Sequence, residues 1–246
     1  MTDITHIWRI KKMDSVTSTN DEARRGAESN EREGLVVWAL QQTTGRGRYG
    51  RTWESPEGNL YVSILLRPGC DLKHVPRFGF IAALTVHDTV HALLPDANVT
   101  LKWPNDVLVN GKKISGVLLE ASAAPNQRVL WAIVGIGLNV EHHPDNPSYP
   151  ATSLEAEGTP STELEEILDT LLDRFYYWKK LNEEEGFEPI RNAWLTAAQK
   201  GRLSVRLPQE TVEGEFAALD DNGALVLRLA DGSKKVIAAG DVFLTN

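Results

Sequence analysis

The chain has 246 residues, of which 41% are hydrophobic and 24% charged, and its formal net charge is −8 at pH 7. These values are typical of a folded globular protein, and they argue against a disordered chain, a fibrous repeat, or a surface that attracts nucleic acid or anionic membrane as a whole. The single cysteine, Cys70, excludes an intramolecular disulfide framework. With neither a signal pattern nor a long apolar run, we expect a cytoplasmic protein without a membrane span.

The first two hundred residues alternate between helix and strand patterns. Capping residues and an acidic first turn predict a helix over 21–25, and a long apolar stretch predicts a buried helix over 78–94. A capping box formed by Thr162 and Glu165 predicts the start of an amphipathic helix that runs to Trp178. Runs of β-branched and aromatic residues predict strands at 34–40, 60–66, 99–103, 107–109, 113–115, 116–121 and 129–134.

The dipeptide Asn110-Gly111 predicts a type I′ hairpin turn, because both central residues of that turn need a positive φ. The sheet should therefore be antiparallel or mixed. After about residue 199 the pattern changes to short strands at 203–207, 211–217, 224–229 and 235–238, separated by Asn-Gly and Asp-Gly turns. We expect a first domain over 1–198 and a small β-barrel domain over 199–246.

The segment Gly45–Arg51 concentrates three glycines and three arginines in seven residues. Glycines let the backbone approach a ligand, and the arginines place positive charge in a protein that is acidic overall. This composition favours a phosphate or carboxylate site, although a solvated basic loop or an RNA-gripping Arg-Gly segment has a similar composition. The spacing resembles a P-loop, but Pro56 excludes the helix that a P-loop must open.

A second polar cluster surrounds the predicted hairpin. Lys102 ends a strand, Asn105 and Asp106 follow it, and Lys113 returns on the partner strand. Taken singly, each of these residues is equally typical of a turn or a sheet edge. Their proximity on one hairpin favours a shared site.

Two further motifs have structural alternatives. The sequence Gly135-Ile-Gly lacks the third glycine of a dinucleotide fingerprint, so these glycines indicate close backbone packing, while the amide of Asn139 could read the edge of a base. His87 and His91 are four residues apart, but no third ligand accompanies them, and such a pair is usually helix surface or core.

The order of these motifs resembles that of the biotin protein ligases. The matching segments are Ser18-Thr-Asn20, Gln42, Gly45–Arg51 with Trp53, Asn59–Ser63, Lys102–Asp106, Lys113–Gly116 and Gly135–Asn139. The resemblance implies an α+β catalytic domain, with a mixed, mostly antiparallel sheet flanked by helices as in class II synthetases, and a small Src-homology-3-like β-barrel. Because the Ser-Thr-Asn motif begins at residue 18, we expect a monofunctional enzyme without a winged-helix DNA-binding domain.

The resemblance also implies a two-step activity. The enzyme would use ATP and Mg²⁺ to convert biotin to biotinyl-5′-AMP, and would then transfer biotin to a lysine of a biotin carboxyl carrier protein of acetyl-CoA carboxylase. We expect no nucleic-acid or membrane partner, and a homodimer is left open. The alternatives are a lipoate-protein ligase with the same chemistry, or a nucleic-acid-binding module that uses the Arg-Gly loop.

Residue roles follow from the same resemblance. Hydrogen bonds to biotin fall to Ser18, Thr19, Asn20 and Gln42. Arg46, Gly47 and Arg48 would form the loop that orders over the ligand, with Gly45 among the binding residues, and Lys113 and Gly116 would line the same pocket. Contacts to the nucleotide fall to Arg48, Arg51, Trp53, Lys102, Asn105 and Asn139. The implied catalytic residues are Arg48, Lys102, Lys113 and Asp106, where Asp106 either holds Mg²⁺ or accepts the proton of the incoming amine. An apolar pocket for the rest of biotin would come from Trp38, Val117 and Leu118.

Overall fold

The computed structural model describes residues 7–145, 149–159 and 162–244. Its larger sheet has seven strands in the order β1-β2-β3-β7-β6-β5-β4. Their bounds are β1 Arg9–Val16, β2 Leu35–Gln42, β3 Leu60–Leu66, β4 Val99–Lys102, β5 Asp106–Val109, β6 Lys112–Ala123 and β7 Val129–Leu138. Within the described part of the chain, β1 and β2 are parallel and every other neighbouring pair in this sheet is antiparallel. The predicted mixed, mostly antiparallel sheet is confirmed.

The helices are α1 Thr19–Glu28, α2 Pro76–Leu93, α3 Leu164–Glu185 and α4 Phe187–Ala197. Alternate residues of β2 face two different cores, as the period of a strand requires. Val36 and Trp38 belong to the main core with α2 and α3, whereas Val37 packs in a smaller cluster with Ala23 of α1. The sheet is therefore covered on both faces. No described helix is long and apolar enough to cross a membrane.

Several element bounds differ from those predicted. The N-cap of α3 is Glu163, one residue after the predicted Thr162, and Glu165 forms an ion pair with Lys12. The two strands predicted at 113–115 and 116–121 form the single strand β6, and the Gly-Ile-Gly segment lies inside β7. The predicted hairpin turn is confirmed, with φ of 51° at Asn110 and 79° at Gly111.

Strand β1 and helix α4 were not predicted. The apolar residues Ile10, Met13 and Val16 recur every three positions, which is typical of a helix rather than a strand. The segment is nevertheless extended because it pairs with β2 in register, Arg9 opposite Leu35. Pairing with a strand distant in sequence overrides the local pattern here.

The C-terminal module is an antiparallel sheet in the order β11-β10-β9-β8-β12. Its strands are β8 Arg202–Arg206, β9 Thr211–Leu219, β10 Leu225–Arg228, β11 Lys234–Ile237 and β12 Asp241–Leu244, of which β12 was not predicted. The module packs on the larger sheet through the buried indole of Trp103, which donates to the Gly223 carbonyl at 3.0 Å. One continuous hydrophobic core includes both parts.

Candidate active site

An open cleft lies between the larger sheet and the C-terminal module, and its volume, including the solvent-filled opening, is about 930 Å³. The cleft is lined by the start of α1, the Arg-Gly loop, the β4–β5 connection, the facing parts of β6 and β7, Tyr149 and β12. A second cavity adjoins it and shares Arg51, Thr52, Trp53, Lys113, Tyr149 and Phe243.

The end of the cleft at α1 is built from neutral polar groups that bond to one another. Gln42 accepts from the Thr19 backbone N–H at 2.9 Å and donates to Ser55 at 2.9 Å. The buried hydroxyl of Ser63 lies 2.8 Å from the Thr19 hydroxyl and 2.6 Å from the Asn20 side-chain oxygen. We call this the amide end, because donors and acceptors are fixed there without a net charge.

Trp53 forms a wall of the cleft against two glycines. A Cβ at Gly137 would lie 2.6 Å from the Trp53 Nε1, and one at Gly116 would lie 3.1 Å from the indole ring. The contact at Gly137 leaves no room for a side chain, and the contact at Gly116 is tight. Close packing, one of the two interpretations of the Gly-Ile-Gly segment, is therefore what the structure shows.

The opposite end of the cleft contains two lysines on one carboxylate. The buried Asp106 binds Lys113 Nζ at 2.5 Å with Oδ1 and Lys102 Nζ at 3.2 Å with Oδ2. The hairpin register produces this arrangement, since Lys102 lies opposite Asp106 on the paired strands β4 and β5. The ring of Tyr149 lies 5.5 Å from the Lys102 ammonium and 5.0 Å from that of Lys113. We call this group the cation end.

The charged groups of the cation end stabilise one another in their ionised forms. Burial alone would raise the pKa of the Asp106 carboxyl, but the adjacent ammonium groups of Lys113 and Lys102 hold that pKa below its usual value. Asp106 is thus ionised at neutral pH. Two ammonium groups and one carboxylate leave a net positive charge facing the cleft.

The three arginines of the Arg-Gly loop have different partners. Arg46 binds Asp21 through both terminal nitrogens at 2.9 Å and reaches Glu120 at 3.4 Å. Arg51 forms a close ion pair with Asp241 of β12. Arg48 donates to Asn105 at 3.3 Å and to the Tyr49 hydroxyl at 2.9 Å, and has no ion pair among the described residues. Of the three, Arg48 is the cation that remains available to an anion.

The loop that carries these arginines closes on itself. Arg46 and Thr52 form a β-bridge, and the Trp53 N–H donates to the Gly45 carbonyl at 2.9 Å. A Cβ at Gly45 would lie 2.3 Å from the Trp53 carbonyl oxygen, so this position requires glycine for packing. Exposed Tyr49 at the tip has a φ of 56°. The base of the loop is fixed and its tip is strained.

Two comparisons with known sequences bear on this site. Residues 12–139 match the model of the biotin/lipoate A/B protein ligase family, and residues 203–245 match that of the biotin protein ligase C-terminal domain. A biotin–[acetyl-CoA-carboxylase] ligase of Paracoccus denitrificans is 39% identical over 234 residues, which cover 92% of this chain and 96% of that protein. The chain belongs to the biotin protein ligase family.

Other members of the biotin protein ligase family give the same result. The chain is 34% identical to the biotin–[acetyl-CoA-carboxylase] ligase of Mycobacterium tuberculosis, over 96% of this chain and 89% of that protein. Among solved structures, the biotin protein ligase of Aquifex aeolicus in complex with biotin and ATP superposes with a TM-score of 0.79 at 29% identity, covering 96% of this chain and 97% of that one. The predicted family and fold are thus confirmed.

Most of the residues that the family resemblance selected line this one cleft: Ser18, Thr19, Asn20, Gln42, Arg46, Gly47, Arg48, Arg51, Trp53, Lys102, Asn105, Asp106, Lys113 and Gly116. Three others do not. Gly45 packs against the Trp53 carbonyl at the base of the loop, and Trp38 is buried in the main core. Asn139 is buried and donates to the Thr152 carbonyl at 2.9 Å, although it borders the adjoining cavity. Val117 and Leu118 line the cleft as expected.

Sequence reasoning missed several residues of the cleft and its support. Ser63 was included only as part of a family motif, and nothing singled out Tyr149, Asp241 or Glu120. Ser63 could have been found, since it is a polar residue inside an otherwise apolar strand. The other three depend on contacts that connect distant parts of the chain.

The magnesium ion that the family resemblance implies finds no set of protein ligands among the residues that the structure describes. Both oxygens of Asp106 already bind lysine ammonium groups, which would repel a divalent cation. Within the described ranges, no cluster of three or more His, Cys, Asp or Glu side chains could hold a metal ion. The side chains present therefore do not fit a resident magnesium site, and Asp106 does not fit the role of its ligand.

Proposed function

We propose that this chain joins biotin to a lysine of a carboxyl carrier protein through a biotinyl-adenylate. In the first step, a carboxylate oxygen of biotin attacks the α-phosphorus of ATP, the bond to the bridging oxygen breaks, and pyrophosphate leaves. In the second step, the neutral lysine amine attacks the acyl carbon, the bond to AMP breaks, and the new amide nitrogen loses a proton to solvent. The observation that carries this proposal is the single cleft with an amide end and a cation end.

The amide end suits the uncharged ureido ring of biotin. Thr19, Asn20 and Gln42 offer fixed hydrogen-bond donors and acceptors, with Ser18 at the same helix start. A neutral ligand needs such matched groups, because an unpaired buried polar group costs about 1–3 kcal/mol. The backbone of β6 at Gly116, with Val117 and Leu118, provides the apolar wall for the ring sulfur and the chain.

The cation end suits the reacting anions. Bringing a carboxylate to a triphosphate places negative charge against negative charge, so positive groups must hold both. Lys102 and Lys113 are fixed for this role by Asp106, and Arg48 offers a guanidinium that is not paired with a carboxylate. Asn105 orients Arg48 through its amide oxygen.

Asp106 is a poor candidate for the base of the second step. Because the pKa of its carboxyl lies below the usual value and both oxygens are occupied, it has little tendency to accept a proton at neutral pH. We assign Asp106 to positioning Lys102 and Lys113. No step of this proposal depends on a metal ion held by the protein.

The arrangement also separates this activity from the alternatives. Nucleic-acid binding needs several accessible cations, yet Arg46 and Arg51 are paired with carboxylates and the lysines line the cleft. The matched family model includes lipoate ligases, so the identity of the acid substrate needs a direct test. The two relatives reported above are both named as ligases that attach biotin to acetyl-CoA carboxylase.

The decisive experiment mixes the protein with Mg-ATP and either biotin or lipoate, and identifies the retained adenylate by mass spectrometry. We expect biotinyl-adenylate with biotin and none with lipoate. Adding a carrier domain should then transfer the acyl group, and a carrier with its acceptor lysine changed to arginine should not be labelled. Accumulation of the lipoyl adenylate alone, or of neither, would overturn the proposal.

A further inference from the structure

Arg46 is held differently from the other cations of the cleft. Its guanidinium meets Asp21 of α1 in a two-point contact, with both N···O distances at 2.9 Å, and touches Glu120 of β6 at 3.4 Å. Two-point arginine–carboxylate contacts fix direction as well as distance. Arg46 therefore connects a helix, a loop and a strand that are far apart in sequence.

These contacts neutralise Arg46 within the protein. Burial acts to raise the pKa of Asp21, but Arg46, together with Arg24, holds that pKa below its usual value, and Asp21 in turn raises the pKa of Arg46. A phosphate could use Arg46 only by displacing a carboxylate that already binds it at two points. Arg46 is thus unsuited to the nucleotide, in contrast to Arg48.

The same carboxylates also reach the amide end. Glu120 Oε2 accepts from Asn20 Nδ2 at 3.1 Å, while the Asn20 side-chain oxygen faces Ser63. Asp21 directly follows Asn20 in α1. Neither Asp21 nor Glu120 lines the cleft, so both act on a ligand through Asn20 and Arg46.

We infer that Asp21 and Glu120 are positioning residues for the acid substrate: they hold Arg46 and the Asn20 amide in their binding geometry before the ligand arrives. The inference rests on the proposed function, which places biotin at the amide end. It predicts that their charge matters for biotin and not for ATP, because Arg48, Lys102 and Lys113 lie outside this network.

The test uses substitutions that keep shape and remove charge, Asp21→Asn and Glu120→Gln. Calorimetry with biotin alone should show Kd raised about tenfold for each, whereas the KM for ATP should stay within about twofold of the original protein. The matched control is Glu22→Gln, which removes another carboxylate of α1, one whose ion-pair partner is Arg25 of the same helix. This control should bind biotin normally.

A double substitution separates positioning from a general structural role. If Asp21 acts through Arg46, then adding Arg46→Gln to Asp21→Asn should raise the biotin Kd by less than the product of the two single effects. Melting temperatures of all variants identify any that fail to fold, and Glu120→Gln then carries the test alone.

The outcomes are distinguishable. Unchanged biotin affinity in both variants, or equal losses for biotin and ATP, would overturn this inference while leaving the proposed function intact. Failure of the unsubstituted protein to bind biotin at all would overturn both.

Discussion

The two ends of the cleft are organised by opposite rules. At the amide end the polar groups satisfy one another, as in the Ser63, Thr19 and Gln42 chain of hydrogen bonds. At the cation end two lysines share one carboxylate, and Arg48 beside it has only neutral partners among the described residues, so positive charge is left over. The polar groups of the first end are fixed by hydrogen bonds to one another before a ligand arrives, whereas the second end keeps excess positive charge until anions bind. Selectivity for the acid and acceleration of the chemistry are thus separate properties of separate residues.

Of the variants considered, replacement of Lys113 should cause the largest loss of activity at the cation end. Lys113→Ala leaves the buried Asp106 with a single ammonium group, that of Lys102, so the cation end loses its net positive charge. We expect adenylate formation, measured by biotin-dependent exchange of pyrophosphate into ATP, to fall about a thousandfold. Lys112→Ala is the matched control, because its exposed side chain pairs with Glu157 away from the cleft, and it should retain activity. Equal activity of the two variants would contradict the assignment of Lys113.

The next largest effect is expected for Arg48→Ala. Exchange should fall about a hundredfold, because the guanidinium that stabilises charge on the phosphates is lost. Since Arg48 has no ion pair within the described ranges, the free energy of unfolding in urea should change by less than about 0.5 kcal/mol. A variant that unfolds more easily but turns over normally would remove Arg48 from the chemistry.

Ser63→Ala tests the amide end. The substitution leaves the Asn20 side-chain oxygen without its partner, so the biotin Kd measured by calorimetry should rise about tenfold. The KM for ATP should remain as it was and serves as the internal control. If both constants rise together, the two ends are not independent and the comparison fails.

The smallest effect concerns pH. Because the folded-state pKa of Asp106 lies below its unfolded value, ionised Asp106 stabilises the fold at all pH values above that unfolded value, about 3.9. This contribution is lost as the pH falls through the folded-state pKa. Urea unfolding should therefore show no Asp106-dependent change from pH 8 to pH 5 and a loss below about pH 4. Asp106→Asn should lack that acid-dependent part; the same acid loss in both proteins would contradict this account.

Local sequence patterns were enough to predict much of the fold. Turn chemistry placed the Asn110-Gly111 hairpin, and β3 was predicted to the residue, because both depend on neighbours in the chain. In contrast, β1 was missed because its apolar spacing suggests a helix, and only pairing with β2 extends it. Strand β1 thus shows that pairing with a distant strand cannot be seen from local spacing alone.

The site shows the same limit. The residues that touch the cleft were mostly found through motif order, but their partners were not. Asp241 lies 190 positions from Arg51 and Glu120 lies 100 positions from Asn20, so no spacing in the sequence connects them. The composition of the Arg-Gly loop also does not show that tertiary contacts give each of its three arginines a different state of charge pairing.

Strand β12 has a practical consequence for anyone handling this protein. Asp241, Val242 and Phe243 form one wall of the cleft although they lie within six residues of the last position of the sequence, Asn246. A fusion partner or affinity tag attached directly after this strand would be able to displace the cleft wall that Asp241, Val242 and Phe243 form. Any segment joined soon after β12 therefore calls for a long, flexible spacer, and catalytic assays of such fusions report on the spacer as well as on the enzyme.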